Sequence, residues 1–266
     1  MNIFWREVKA YRNSTIIWTL TLSLLLITFL SMFPSFSNDV EATKKILQNL
    51  PPFMASAAGI SPDILFSIYG FMSWLLTFIT LAGAVQAMNL GVGVLSKEES
   101  GKTADFLLTK PVSRTKVITG KLLAVIFLVL VTNVVFLVTA FAMAVAVTET
   151  DFNIGTLFLV SAKLVLIQMM FLVFGFLLAV IAKKIKSSIA VSLPAVFSLF
   201  IVGTLGAVLE IDSVKYISPF KFFDSDYIIT NNSYDIKFLI IEAVFVVIAI
   251  ILSYIIYIKK DIKAAS

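Results

Sequence analysis

Long uncharged runs alternate with short charged ones along this chain. The uncharged stretches 14–38, 64–96, 122–148 and 187–209 each reach the roughly 20 apolar residues that carry a helix across the hydrocarbon of a bilayer. Two further apolar runs, 154–182 and 237–258, are interrupted once each, by Lys163 and by Glu242. The pattern predicts an all-α integral membrane protein, because a backbone in lipid must satisfy its own hydrogen bonds. Six spans are expected, at approximately 14–34, 64–93, 121–147, 154–182, 188–209 and 237–258, in a single transmembrane domain covering 1–266.

The segments between the spans carry weaker signals. Residues 2–13 place Ile3, Phe4, Val8 and Tyr11 at helical spacing against Arg6, Lys9 and Arg12, which predicts a short interfacial helix ahead of the first span. The apolar run 14–33 is long for a secretory signal core, and Ser31-Met32-Phe33-Pro34 is not a small-x-small cleavage site, so the span is expected to be retained. Ser37 or Asn38 is positioned to cap a helix beginning at Asp39 that Pro51-Pro52 would stop. The loop around Tyr216 to Asp224 is aromatic and contains Pro219, and is expected to dip back toward the membrane interface.

Composition narrows the class and charge sets the orientation. With 59% hydrophobic and 14% charged residues, too little polar surface is present to clothe a water-soluble globule. Of the 21 Lys and Arg residues, 15 fall before the first span, in 97–121, in 183–186 or after 258. Five fall in the alternate loops and Lys163 lies within a span. The positive-inside rule then predicts cytoplasmic N- and C-termini. The net charge of +5 is the asymmetry of an inserted protein facing anionic lipid and calls for no nucleic-acid partner. There is no Cys and no His, so thiolate chemistry and the commonest metal ligand are missing; no metal site is predicted.

The strongest interruption is the charged segment 97–114 between spans two and three. Within it, Ser100-Gly101-Lys102-Thr103 matches the end of a phosphate-binding loop, but position 96 is Ser rather than Gly and the preceding element is a membrane helix, not a strand. No ATP binding by this chain is therefore expected. Ser96-x-x-Glu99 has the spacing of a capping box, Gly101 permits a bend and Pro111 would end a helix over Thr103 to Leu108. A short amphipathic helix across the cytoplasmic mouth and a solvated loop whose charges only fix topology both fit this spacing.

Glu98-Glu99-Ser100-Gly101-Lys102-Thr103-Ala104-Asp105-Phe106-Leu107-Leu108-Thr109-Lys110-Pro111-Val112-Ser113-Arg114, followed by Gly120-Lys121, resembles the signature of ABC-2 type permeases, the membrane subunits of type-2 ABC exporters. That pattern has an acidic residue, Gly-Thr, a short helix ending in Leu-Leu, then Pro-Val-Ser-Arg and Gly-Lys. Here Lys102 is inserted between Gly101 and Thr103. The resemblance implies that 98–110 is a cytoplasmic coupling helix docking on a separate ATPase, with Glu98, Glu99, Gly101, Lys102, Thr103, Asp105, Leu107, Leu108, Pro111 and Arg114 as the coupling residues. It further implies a second permease subunit, either a copy or a related chain, and a plasma-membrane location. ATP and Mg would sit on the partner ATPase, with no cofactor and no catalytic residue on this chain. The expected function is the permease subunit of an ATP-binding cassette exporter.

Two charges remain inside spans. Lys163 and Glu242 are expected at similar depth, and an ion pair between them would offset the cost of both in hydrocarbon; outward snorkelling of Lys163 and a protonated or locally paired Glu242 is the plainer reading. Gln86, Asn89, Asn133 and Gln168 are expected to make hydrogen bonds between helices. A secondary transporter driven by an ion gradient is the alternative function, and would call for broken helices or midplane ionisable groups in two related halves. An intramembrane enzyme would need a nucleophile-base or metal set that a chain without His or Cys does not provide.

Overall fold

The computed structural model describes residues 3–38, 65–100, 113–148, 151–182 and 184–259, without the side chains of 98–100. The helices are α1 (Ile3–Leu30), α2 (Phe33–Asn38), α3 (Ile68–Ser100), α4 (Arg114–Val147), α5 (Ile154–Ile181), α6 (Ser188–Val208), α7 (Ser225–Asn231) and α8 (Ile236–Lys259). Two 3-10 turns, Asp212–Tyr216 and Pro219–Lys221, follow α6. Among the described residues, six helices are long and apolar enough to cross a membrane. The chain is a multi-pass, all-helical membrane protein.

The expected separation of an interfacial helix from the first span does not occur. From Ile3 to Leu30 the chain is one unbroken helix, and 28 residues at 1.5 Å each give about 42 Å, well beyond the ~30 Å of hydrocarbon. Residues 11–17 hold no Gly or Pro to break the helix, and Glu7 is buried against α4. Ser37 and Asn38 lie in the last turn of α2, and the helix expected from Asp39 falls outside the described residues.

Polar caps start several elements. Ser113 accepts from the Lys116 amide at the start of α4. Asn153 accepts from the amides of Gly155 and Thr156 at α5, and Asp224 from those of Asp226 and Tyr227 at α7. These bonds satisfy amides that a first turn otherwise leaves without a partner.

At the centre of the bundle α3 and α5 pack along their length, and α1 and α4 form a second close pair beside them. The central pair is tight because of glycine. A Cβ on Gly91 would lie 2.1 Å from the Leu172 carbonyl oxygen, and one on Gly175 would lie 2.6 Å from that of Met88. Small residues let backbones approach this closely, which is how dispersion packing accumulates between helices in lipid. α6 and α8 lie outside this core, with 22% and 17% of their most apolar windows buried, against 67% for α3 and 61% for α5. Their outward apolar faces suit lipid rather than water.

The segment after α6 folds back against the bundle rather than standing clear of it. Ser218 is fully buried and its hydroxyl donates to the Leu199 carbonyl, 2.8 Å away. Leu199 lies nine residues before the end of α6, or about 13 Å along the axis. Gly203 and Gly206 make this possible: a Cβ on either would meet Ser218 Oγ or Val214 Cβ at 2.4 Å. Phe220 then packs on Phe171 and Phe200, with ring centroids 5.2 and 5.3 Å apart.

Candidate functional site

Residues 3, 100, 114, 181, 188 and 259 gather at one end of the bundle, here termed the terminal end. Between α3 and α4 the chain leaves the described residues, and with it go Gly101, Lys102, Thr103, Asp105, Leu107, Leu108 and Pro111. Glu98 and Glu99 lie in the last turn of α3, their side chains likewise outside the description. Ser96 is not a cap: it sits inside α3, where its hydroxyl donates to the Val92 carbonyl at 2.9 Å. α3 therefore runs straight through the expected start of the segment. Arg114 opens α4, and its Nη1 donates to the Ile258 carbonyl at 2.9 Å, tying the segment's exit to the end of α8.

The helices flanking this segment are clamped by a buried charge cluster. Glu7 of α1 accepts from Arg6 Nε and Nη2 at 3.2 and 2.7 Å and lies 3.8 Å from the Lys121 ammonium of α4. Lys121 is 1% exposed and donates to the Val94 carbonyl of α3 at 2.5 Å. Gly120 beside it faces Ile3, whose side chain a Cβ would meet at 3.2 Å. Lys97 of α3 stands over the Tyr11 ring of α1, 5.4 Å from its centroid. Neither Glu7 nor the burial of Lys121 was anticipated from the sequence. The signal was present: Ile3, Glu7 and Tyr11 recur at four-residue spacing, so the carboxylate falls on the apolar stripe.

Deeper in the bundle a second polar layer joins four spans. Thr132 of α4 lies 2.9 Å from Thr19 of α1 and accepts from Gln86 of α3 at 3.0 Å. Gln168 of α5 donates to Gln86 at 3.1 Å and to the Gly83 carbonyl at 3.2 Å, and accepts from Asn133 of α4 at 2.5 Å. Three of the four amides expected to bridge helices do so. Asn89 does not, and its buried Oδ1 has no partner among the described residues.

Toward the far end, Lys163 and Glu242 do not pair, contrary to expectation. Lys163 donates to Ser225 Oγ at the start of α7, with Asp224 and Asp226 the carboxylates nearest in its field. Glu242 is buried on the face of α8 that also buries Ala249 and Ser253. Depth along each helix did not decide the partner: the chain after α6 returns and brings Ser225 to Lys163. Nearby, burial holds the Lys221 pKa below its ordinary value despite the opposing field of Asp224. Tyr234 donates to the Leu159 carbonyl at 2.6 Å, and burial followed by the Glu242 charge pushes its pKa well above the usual tyrosine range.

These polar clusters lie at three levels of the bundle. What they share is the joining of helices across the bundle, which suits a body that moves as a unit. A family model described as ABC-2 family transporter protein matches residues 1–262. The chain belongs to the ABC-2 transporter family. It is an ABC transporter permease, a membrane subunit that is not itself catalytic. No curated protein gives the permease a significant match.

Proposed function

We propose that this permease couples ATP hydrolysis by a separate ATP-binding cassette subunit to export of a substrate through a pair of permease subunits. In this reading the terminal end is cytoplasmic, 97–114 is the segment that docks on the ATPase, and ATP and Mg are held by that partner. The second permease subunit is a copy of this chain or a related one. The buried Glu7–Lys121 cluster, with its bond to Val94, supports the reading most directly. It joins α1, α3 and α4 at the flanks of 97–114, so a push on the segment would reach three spans together. α3 continues without interruption to Ser100, 33 residues or about 50 Å from Ile68. A rigid lever of that length transmits displacement without unfolding.

The test is to purify the permease from its native membrane through a tag in mild detergent and identify what comes with it. One ATPase per permease is expected. Replacing Leu107 and Leu108 with Asp should leave insertion intact while releasing the ATPase and abolishing transport. A permease that comes out alone and moves solute on an ion gradient would overturn the proposal.

A further inference from the structure

Two adjoining cavities at the far end differ in chemistry. The larger, about 290 Å³, lies between α5, α6 and α8 under the re-entrant segment, and side chains such as Phe174, Leu199, Ile241 and Phe245 make it apolar. Tyr216 and Ile217, each more than half exposed, stand at its lip. Phe245 is nine residues from the start of α8, so the groove extends about 13 Å into the bundle, the depth of one leaflet's hydrocarbon. The smaller cavity, about 160 Å³, is lined by Lys215, Lys221, Asp224 and Asp235 with Tyr227 and Tyr234. Phe222 lines both.

We propose that this pair of cavities seats one zwitterionic phospholipid from the leaflet at the far end, with an acyl chain in the groove and its ammonium-phosphate headgroup in the polar cavity. The charges choose the headgroup. Two ammonium and two carboxylate side chains line the polar cavity and Asp212 pairs with one of the ammoniums, so no excess of positive charge complements an anionic headgroup, while Lys221 and the carboxylates suit the two charges of a zwitterion.

The groups are not equally committed. Lys215 is held by Asp212 at 2.8 Å, whereas Lys221, half-buried, makes no ion pair among the described residues. A phosphate would supply what Lys221 lacks. Asp224 and Asp235 each use Oδ1 to cap the helix that follows, accepting from the amides of Asp226 and Lys237 at 2.8 and 2.9 Å. Each carboxylate has a second oxygen for an alkylammonium group, and the tyrosine rings add the aromatic surface such cations favour. The inference goes beyond the transport reading and does not depend on it.

The test titrates the delipidated full-length permease in detergent with phosphatidylethanolamine and with phosphatidylglycerol, reading bound lipid by native mass spectrometry. Wild type is expected to bind phosphatidylethanolamine at least fivefold more tightly. Lys221→Ala and the groove-filling Ile241→Trp should each weaken that binding about tenfold, while Lys221→Arg retains it, a pattern that general loss of fold would not give. Asp235→Asn, which keeps the helix cap but removes a negative charge, should narrow the preference over phosphatidylglycerol at least twofold. Equal binding of the two lipids by wild type, or an unchanged preference in Asp235→Asn, would overturn the proposal.

Discussion

Replacing Gln168 with Leu tests whether the midbundle amides hold the spans together. The side chain is fully buried, and its amide makes three bonds to two other helices: to Gln86 and the Gly83 carbonyl on α3, and from Asn133 on α4. A hydrogen bond between helices in a membrane contributes about 0.6 kcal/mol on average and about 1.7 at most, so losing three should cost about 2 kcal/mol. Two partners keep other bonds: Asn133 still donates to the Val129 carbonyl and Gln86 to Thr132. That holds the cost below the figure for wholly orphaned groups. Asn133→Leu removes one bond of the set to another helix and should cost about 0.6 kcal/mol. Because the two residues share that bond, the double variant should be less destabilised than the sum of the singles by about the same 0.6 kcal/mol. Unfolding equilibria of the four proteins in mixed micelles supply the cycle. The reasoning fails if Gln168→Leu costs no more than Asn133→Leu, or if the singles add within about 0.3 kcal/mol.

Three further outcomes follow from other parts of the bundle. Gly91→Ala places a methyl 2.1 Å from the Leu172 carbonyl oxygen, which forces α3 and α5 apart and should cost about 1–3 kcal/mol, seen as a lower thermal midpoint in detergent. Glu7→Gln removes the carboxylate beside the buried Lys121 ammonium, which keeps its bond to the Val94 carbonyl, and should cost about 1–3 kcal/mol, whereas Lys9→Gln on the exposed face of α1 should stay within about 0.5; equal midpoints would refute the buried cluster. Tyr234 is favoured by the fold in its protonated, donating form, and its folded pKa lies above the unfolded value. Its contribution over Tyr234→Phe, about 1 kcal/mol, should therefore be constant up to about pH 9.5 and shrink as pH rises past the unfolded pKa near 10. An advantage that stays level to pH 11 would contradict that sign.

The spans were legible because an uncharged run of this length has few other folds available to it, and their boundaries differ from expectation by only a few residues except where polar sequence stays helical. Arg6 to Arg12 and Lys97 to Glu99 were read as surface and loop because they are charged, yet both continue their helices. Charge marks where the hydrocarbon ends, not where the helix does. The Gln86, Asn133 and Gln168 bridges were readable as a class, since an amide in a span seeks a partner. Which residues would meet was not, because that depends on how each helix is rotated. Lys163 shows the same limit: depth along a helix follows from counting, but the face it presents, and the loop that returns to meet it, follow from packing at Gly203 and Gly206.

That distribution of polar contacts bears on how the permease would move. Hydrogen bonds and charge pairs join α1, α3, α4 and α5 at two levels, near Lys121 and near Gln168. Directional bonds of this kind must break before two helices can slide, whereas apolar contacts re-form after a small shift. Among the described residues no such hydrogen bond joins α6 to α3, whereas α8 is fastened to α4 near the terminal end by Arg114 and Thr119, and its entry is fastened to α5 at the far end by Tyr234 and Asn232. If a push on 97–114 drives the conformational cycle, the four-span block should move as one. The compliant seam then falls along α6. The apolar groove lies in that seam, so its volume would change with the state of the segment at the opposite end. A lipid bound there would resist closure of the seam by as much as it prefers the open state, since a ligand shifts a two-state equilibrium only through its differential affinity.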